Sequence, residues 1–248
     1  MSETEKAAPN KVLMIAIGAV VAVAVAAGVY YYRGGFYQGG ARVADKDKVD
    51  PDVAVLMASG PLPDIVIGST DAPNTIVEYA SMTCPHCAQF QKEVFPELKT
   101  KYIDTGKARY MLREFPLDNL AAAAFMLARC SGNDRYYPMV DAMFSTQEKW
   151  VVPGAEAKDK LLQIARQAGI SKEQFDQCLA NKELFSKIVR TRETAHEKFQ
   201  VDSTPTFFVN GKRMKGDHQI KDFEVALGDA PAADADKSKT EGSTKPGQ

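Results

Sequence analysis

The chain has few of the residues that build metal centres or charged binding faces. Its 248 residues include four cysteines and three histidines, and the formal net charge is −1. That balance leaves no basic footprint for nucleic acid. His86, His196 and His218 do not cluster, and Cys130 and Cys178 stand singly. Zinc wants about four ligands, commonly two close pairs or a pair with spaced histidines, so no metal site is expected. No internal repeat is present. No cysteine lies near the apolar N-terminal run, which excludes an anchor built on a lipid-modified cysteine.

What is present begins with that run. Val12 to Tyr32, "VLMIAIGAVVAVAVAAGVYYY", carries no charge, and about 20 apolar residues are enough for a helix to cross a bilayer. Three closing tyrosines suit the membrane interface. The alternative is a buried core helix, disfavoured for a run of this length that is apolar on every face. A cleavable signal peptide usually has a shorter apolar core, of about 7–15 residues. The reading is therefore an uncleaved transmembrane anchor over 12–32, preceded by a cytoplasmic stub over 1–11. Residues 33–63, rich in glycine, proline and mixed charge, read as a tether. The folded body is expected over 64–228. The tail 229–248 has no aromatic or large aliphatic residue and is expected to be disordered. Charge flanking the run does not support export of the body: Lys6 and Lys11 precede it, and Arg33, Arg42, Lys46 and Lys48 follow.

The body reads as α/β. "DIVIG" and "IVEYAS" are β-rich, and "DAPNT" between them is a turn. From Cys84, Phe90, Val94, Leu98, Tyr102 and Ile103 recur at helical spacing, with Pro96 predicting a kink. "ARYMLREFP" returns to strand. Residues 117–201 read almost wholly as helix: Asp118 caps an alanine-rich segment, and Ser171 with Gln174 forms a capping box. "TFFVNGKRM" predicts two strands around Asn210-Gly211, and "QIKDFEVAL" a closing amphipathic helix. The simplest architecture is a mixed sheet with an inserted helical region over 117–201. Met82, Phe90, Tyr79, Phe115 and Trp150 read as core, with a hydrophobic groove as the alternative.

The chemistry concentrates in "CPHC", residues 84–87, at a strand-to-helix junction. Pro85 suits the first helical turn, where its missing N–H costs nothing. A thiol at a helix N-terminus meets the positive end of the macrodipole, which favours thiolate. Cys84 is thus the expected exposed nucleophile. Cys87, a turn later, is the more buried partner within disulfide reach. His86 between them can stabilise the thiolate and so make the disulfide more oxidising. Glu78 is a lone acid in an apolar strand: buried with a raised pKa, or facing solvent. Cys130 and Cys178 pair as a structural disulfide or remain buried thiols. Paired, they close a loop for which chain entropy suggests about 4 kcal/mol. His196 and His218 read as surface residues.

"CPHC" after a strand, the distant "STPTFFVNG" and the helical insertion together resemble the DsbA-like thiol–disulfide oxidoreductases of the thioredoxin superfamily. The resemblance covers about residues 64–228. It implies a thioredoxin-like sheet with an inserted helical domain, Cys84 as attacking cysteine and Cys87 as its partner. It implies that Pro205 is a cis-proline beside them and that Thr204 offers its backbone to an extended substrate. It makes Glu78 an acid assisting proton transfer at the buried cysteine. No cofactor is expected. Implied partners are reduced or misfolded exported polypeptides and a quinone-linked membrane protein that reoxidises the pair. The implied location is the inner membrane, single-pass, with the body in the periplasm or another extracytoplasmic space. Threonine before the proline also occurs in isomerase and reductase relatives. An isomerase or reductase kept reduced by a membrane partner is therefore the alternative to an oxidase.

Overall fold

The structure, a computed structural model, describes residues 53–58 and 60–229. The apolar run, the stub before it, the start of the tether and the tail from residue 230 lie outside the described residues. Among the described residues, no helix is long and apolar enough to cross a membrane.

Five strands form one mixed sheet in the order β1-β3-β2-β4-β5. They are β1 (Val66–Ile67), β2 (Asn74–Ala80), β3 (Ala108–Glu114), β4 (Thr206–Val209) and β5 (Lys212–Arg213). β2 lies at the centre, parallel to β3 and antiparallel to β4. Both of its faces are covered, so Thr75 through Ala80 are all buried. Odd-numbered Val77 and Tyr79 pack with Leu56, Phe199 and Phe208 on one face. Even-numbered Ile76 and Ala80 join the larger cluster on the other, which extends through the cysteine pair into the helical region. This period-two split puts Glu78 on the face of the larger cluster.

The helices are α1 (Val53–Met57), α2 (Pro85–Glu93), α3 (Phe95–Leu98), α4 (Asn119–Cys130), α5 (Asn133–Ser145), α6 (Gln147–Trp150), α7 (Glu156–Gln167), α8 (Lys172–Ala180), α9 (Lys182–Phe199) and α10 (Ile220–Leu227). The expected order of elements is therefore found, with helices alone between β3 and β4. The expected kink at Pro96 is a break. α2 ends at Glu93, Pro96 lies in the first turn of α3, and Lys99–Ile103 continue as a π-helical turn. A proline there gives up an N–H that a first turn leaves unused.

Local signals act as their chemistry requires. Asp118 Oδ1 accepts from Ala121 N at 2.7 Å, and the capping box joins Ser171 to Gln174. Asn210 and Gly211 take φ of 50° and 83°, the left-handed conformations of a two-residue hairpin turn. The Asn210 side chain also accepts from Thr75 N at 2.9 Å, tying the hairpin to β2. At Gly68 (φ 94°) an added Cβ would lie 2.9 Å from the Ala108 carbonyl, so β1 can leave the sheet only through glycine.

One boundary needs correction. Packing begins before Asp64: Leu56 of α1 and Leu62 are buried. Arg113 explains why. It donates to the Leu56 carbonyl at 2.6 Å and grips Asp64 through two bonds of 2.8 and 2.7 Å. The buried guanidinium also donates to Tyr79 Oη at 3.1 Å, so one side chain ties the upstream chain at Leu56 and Asp64 to the sheet. Met82, Phe90, Tyr79, Phe115 and Trp150 are all buried and serve as core, and Phe90 also reaches the wall of a surface cavity.

Candidate active site

β2 ends at Ala80, and after four intervening residues α2 begins at Pro85. Cys84 is the N-cap, with extended φ of −79° and ψ of 119° and no side-chain cap, and Pro85 follows in the first turn. Cys84 N donates to Ser81 O at 3.0 Å, and Thr83 Oγ1 donates to Asp118 Oδ2 at 2.6 Å. The loop is thereby fastened both to the end of β2 and to the cap of α4.

Residues 204 and 205 arrive from the far end of the chain. The Thr204–Pro205 bond is cis, and the Cys84 thiol donates to the Thr204 carbonyl at 3.3 Å. Both cysteines are free thiols. Cys87 is fully buried, as expected, but Cys84 is only 4% exposed. The expectation of an exposed nucleophile is corrected: the Thr204–Pro205 loop packs against its sulfur. Pro85 and His86 are the exposed members of the motif.

The two thiols are driven apart. The Cys84 pKa falls to about 5. A hydrogen bond from the Cys87 thiol contributes most, against the opposing effect of burial, followed by Thr204 and the backbone N–H groups of Cys87 and His86. These are the unpaired donors of a helix start, aimed at a sulfur. The Thr204 hydroxyl is buried, and no atom of the described residues meets it in hydrogen-bond geometry. It is thus free to turn toward a thiolate. The Cys87 thiol is pushed well up, first by burial, then by its bond to Cys84 and the charge of Glu78.

Glu78 is buried and does not face solvent. Burial raises its pKa to about 8, opposed by hydrogen bonds from Tyr110 and then Gln91. Tyr110 Oη donates a short bond to Glu78 Oε2, and Gln91 Nε2 approaches the same oxygen at 3.3 Å. Oε1 has no hydrogen-bond partner among the described residues. A carboxyl that ionises near neutrality, beside a thiol held protonated, can exchange a proton with it. Sequence reasoning missed Gln91 and Tyr110. Gln91 stands one helical turn after Cys87, a signal that was available; Tyr110 needed the β2–β3 register.

Beside Cys84 a cavity of about 250 Å3 is lined by His86, Phe90, Glu93, Thr204, Pro205 and His218. His218 is half-buried, with its ring 4.9 Å from that of Phe207, and its pKa is lowered by burial. It is not the surface residue expected, whereas His196 is exposed. Cys130 and Cys178 form a disulfide that joins the end of α4 to α8, with Cα atoms 6.2 Å apart.

A central mixed sheet, a Cys-Pro-His-Cys helix start and a cis-proline against the first sulfur define a thioredoxin fold with a dithiol site. The family pattern described as Thioredoxin matches residues 62–229. A Rickettsia conorii protein named as a protein-disulfide oxidoreductase is 35% identical over 179 residues, which is 72% of this chain and 64% of that protein. A Bacillus anthracis protein named as disulfide bond formation protein D is 30% identical over 161 residues, 61% of this chain and 71% of its own length. The crystal structure of Wolbachia pipientis alpha-DsbA1 is matched with a TM-score of 0.65 and 33% identity, over 71% of this chain and 94% of that one. The chain belongs to the DsbA-like branch of the thioredoxin superfamily. It spans under two thirds of the length of the Rickettsia relative.

Proposed function

We propose that the protein is a thiol–disulfide oxidoreductase that introduces disulfides into exported polypeptides through Cys84 and Cys87. The observation that carries this is the divergence of two adjacent thiols: Cys84 falls to about 5 while Cys87 is raised. A stabilised Cys84 thiolate is a good leaving group and favours the reduced enzyme, so the oxidised pair readily gives up its disulfide. A substrate thiolate attacks Cys84 Sγ, the Cys84–Cys87 bond breaks, and Cys87 takes the electron pair. Glu78 supplies the proton that Cys87, buried and poorly able to hold charge, requires. A second substrate thiolate attacks the mixed disulfide at the substrate sulfur and releases Cys84 as thiolate. The substrate loses two electrons and gains a disulfide, and the enzyme is left as dithiol.

The names of the Rickettsia and Bacillus relatives support this class of reaction. The fuller reading includes an uncleaved anchor over 12–32 and a body outside the cytoplasm. It also has a quinone-linked membrane protein that takes the two electrons and reoxidises the pair. The motif and the apolar run support that reading, against the flanking charges.

The test is oxidation of a reduced two-thiol peptide by the purified oxidised protein. Stoichiometric disulfide formation, loss of it in Cys84→Ser, and a trapped mixed disulfide in Cys87→Ser are expected. Full turnover by Cys84→Ser would remove the proposal. Direction is read in the cell, by acid trapping and alkylation: a mostly oxidised Cys84–Cys87 pair supports the oxidase, a mostly reduced one the isomerase or reductase.

A further inference from the structure

Gln147 is the first residue of α6, in the helical insertion, and it is buried. Its side-chain amide reaches back to the catalytic loop. Nε2 donates to the Met82 carbonyl at 2.9 Å and to the Cys84 carbonyl at 3.0 Å. An amide has two N–H donors, and both are spent on carbonyls flanking one residue. The flipped amide would set its oxygen against two carbonyl oxygens, so the orientation is determined by the partners.

The Cys84 carbonyl is half of the Cys84–Pro85 peptide plane. It also accepts the first α2 bond, from Ala88 N at 3.2 Å. Rotation about Cα–C of Cys84 swings that plane, and with it the start of α2, relative to the Cys84 side chain. Pro85 has no N–H with which to fasten the plane from its other edge. The orientation decides whether the backbone N–H groups of His86 and Cys87 point at the sulfur. Trp150, at the other end of α6, is fully buried and its Nε1 donates to Met143 O at 2.7 Å, a contact within the helical insertion that reaches neither carbonyl.

We infer that Gln147 is a positioning residue for the reaction: by holding the Cys84 carbonyl it sets the α2 N-terminus against the Cys84 sulfur. The helical insertion then helps to set the redox poise of the dithiol. The inference rests on the reading of Cys84 as the attacking thiol. The two fail separately, because full turnover by Cys84→Ser would sink that reading, while the Gln147 variants are read without any client protein.

The experiment compares Gln147→Met, of similar length but without donors, with the parent and with Trp150→Phe. Trp150→Phe removes one buried hydrogen bond of the insertion, to Met143 O, and leaves the Gln147 amide and both carbonyls in place. Three quantities are measured: the Cys84 thiolate titration by ultraviolet absorbance, the redox equilibrium with glutathione, and the melting temperature. Gln147→Met should titrate at higher pH and shift the glutathione equilibrium roughly three- to tenfold toward the disulfide, ~15–30 mV for a two-electron couple. Trp150→Phe should melt earlier with both redox quantities at parental values. Parental titration and equilibrium in Gln147→Met overturn the inference whatever its melting temperature, as does an equal redox shift in Trp150→Phe. If Gln147→Met does not fold, Gln147→Asn decides by the same readouts. It keeps the amide but is one methylene too short to span both carbonyls.

Discussion

Cys84 Sγ lies 3.3 Å from the carbonyl oxygen of Thr204, a residue 120 positions later in the chain. The contact joins the two halves of the site: a helix N-terminus that stabilises a thiolate, and backbone beside a cis-proline that can receive a substrate. A sulfur held there is covered until a partner displaces the loop or approaches along it.

The Cys84 thiol should titrate near pH 5, and alkylation of the reduced protein should follow that titration while Cys87 resists. The shift is also a stability statement. The folded pKa of about 5 lies below the free-thiol value of 9.0. The contribution is therefore present above pH 9 and lost as pH falls through about 5. Reduced protein should lose stability relative to the disulfide form over that fall, in denaturant unfolding of both. A gap independent of pH would contradict the assignment.

Glu78 titrates with the opposite sign. Its folded pKa of about 8 stands above the usual 4.5, so the folded protein holds a proton that the unfolded chain releases. That stabilisation is full below pH 4.5 and disappears as pH rises through about 8. Glu78→Gln should flatten this decline in denaturant unfolding. It should also slow exchange and erase an inflection near pH 8 from the rate profile. Unchanged turnover and profile would leave Glu78 without a role in proton transfer.

His86→Ser should lower the reduction potential measured against glutathione, because the reduced form loses a cationic or hydrogen-bonding neighbour. The imidazole is exposed, so screening limits the effect to about 1 kcal/mol, or ~20 mV. The His86 backbone N–H persists in the variant and keeps Cys84 acidic. An unchanged potential would assign the residue's whole contribution to its backbone.

Replacing Cys130 and Cys178 together by alanine should cost roughly 2–5 kcal/mol of unfolding free energy. The Cys84 titration should stay where it is, since the disulfide ties α4 to α8 and does not touch the dithiol. Equal stability of the variant and the parent would show that the link constrains little.

The reaction centre was legible in the sequence because its signals are local. Cys84, Pro85 and Cys87 occupy one strand-to-helix junction, and the Cys87 thiol and the helix-start N–H groups that make the first thiol acidic all lie within three residues of it. Asp118, Ser171 with Gln174, and Asn210-Gly211 act through neighbours within a few residues, so their roles could also be read directly. Pro205 was placed by resemblance, not by spacing.

Tertiary structure decided what depends on coverage and register. Whether Glu78 faced solvent or core could not follow from strand alternation, because both faces of β2 are covered. The burial of Cys84, the Tyr110 and Gln91 bonds to Glu78, and the extension of the body upstream of Asp64 each depend on distant segments meeting. So does the Gln147 clamp, which crosses 63 and 65 residues to reach its two carbonyls. A pattern of residue types determines which groups can ionise, cap or turn. Only the packed chain decides which of them lose water and which partners replace it, and those exchanges set the pKa values on which the chemistry runs.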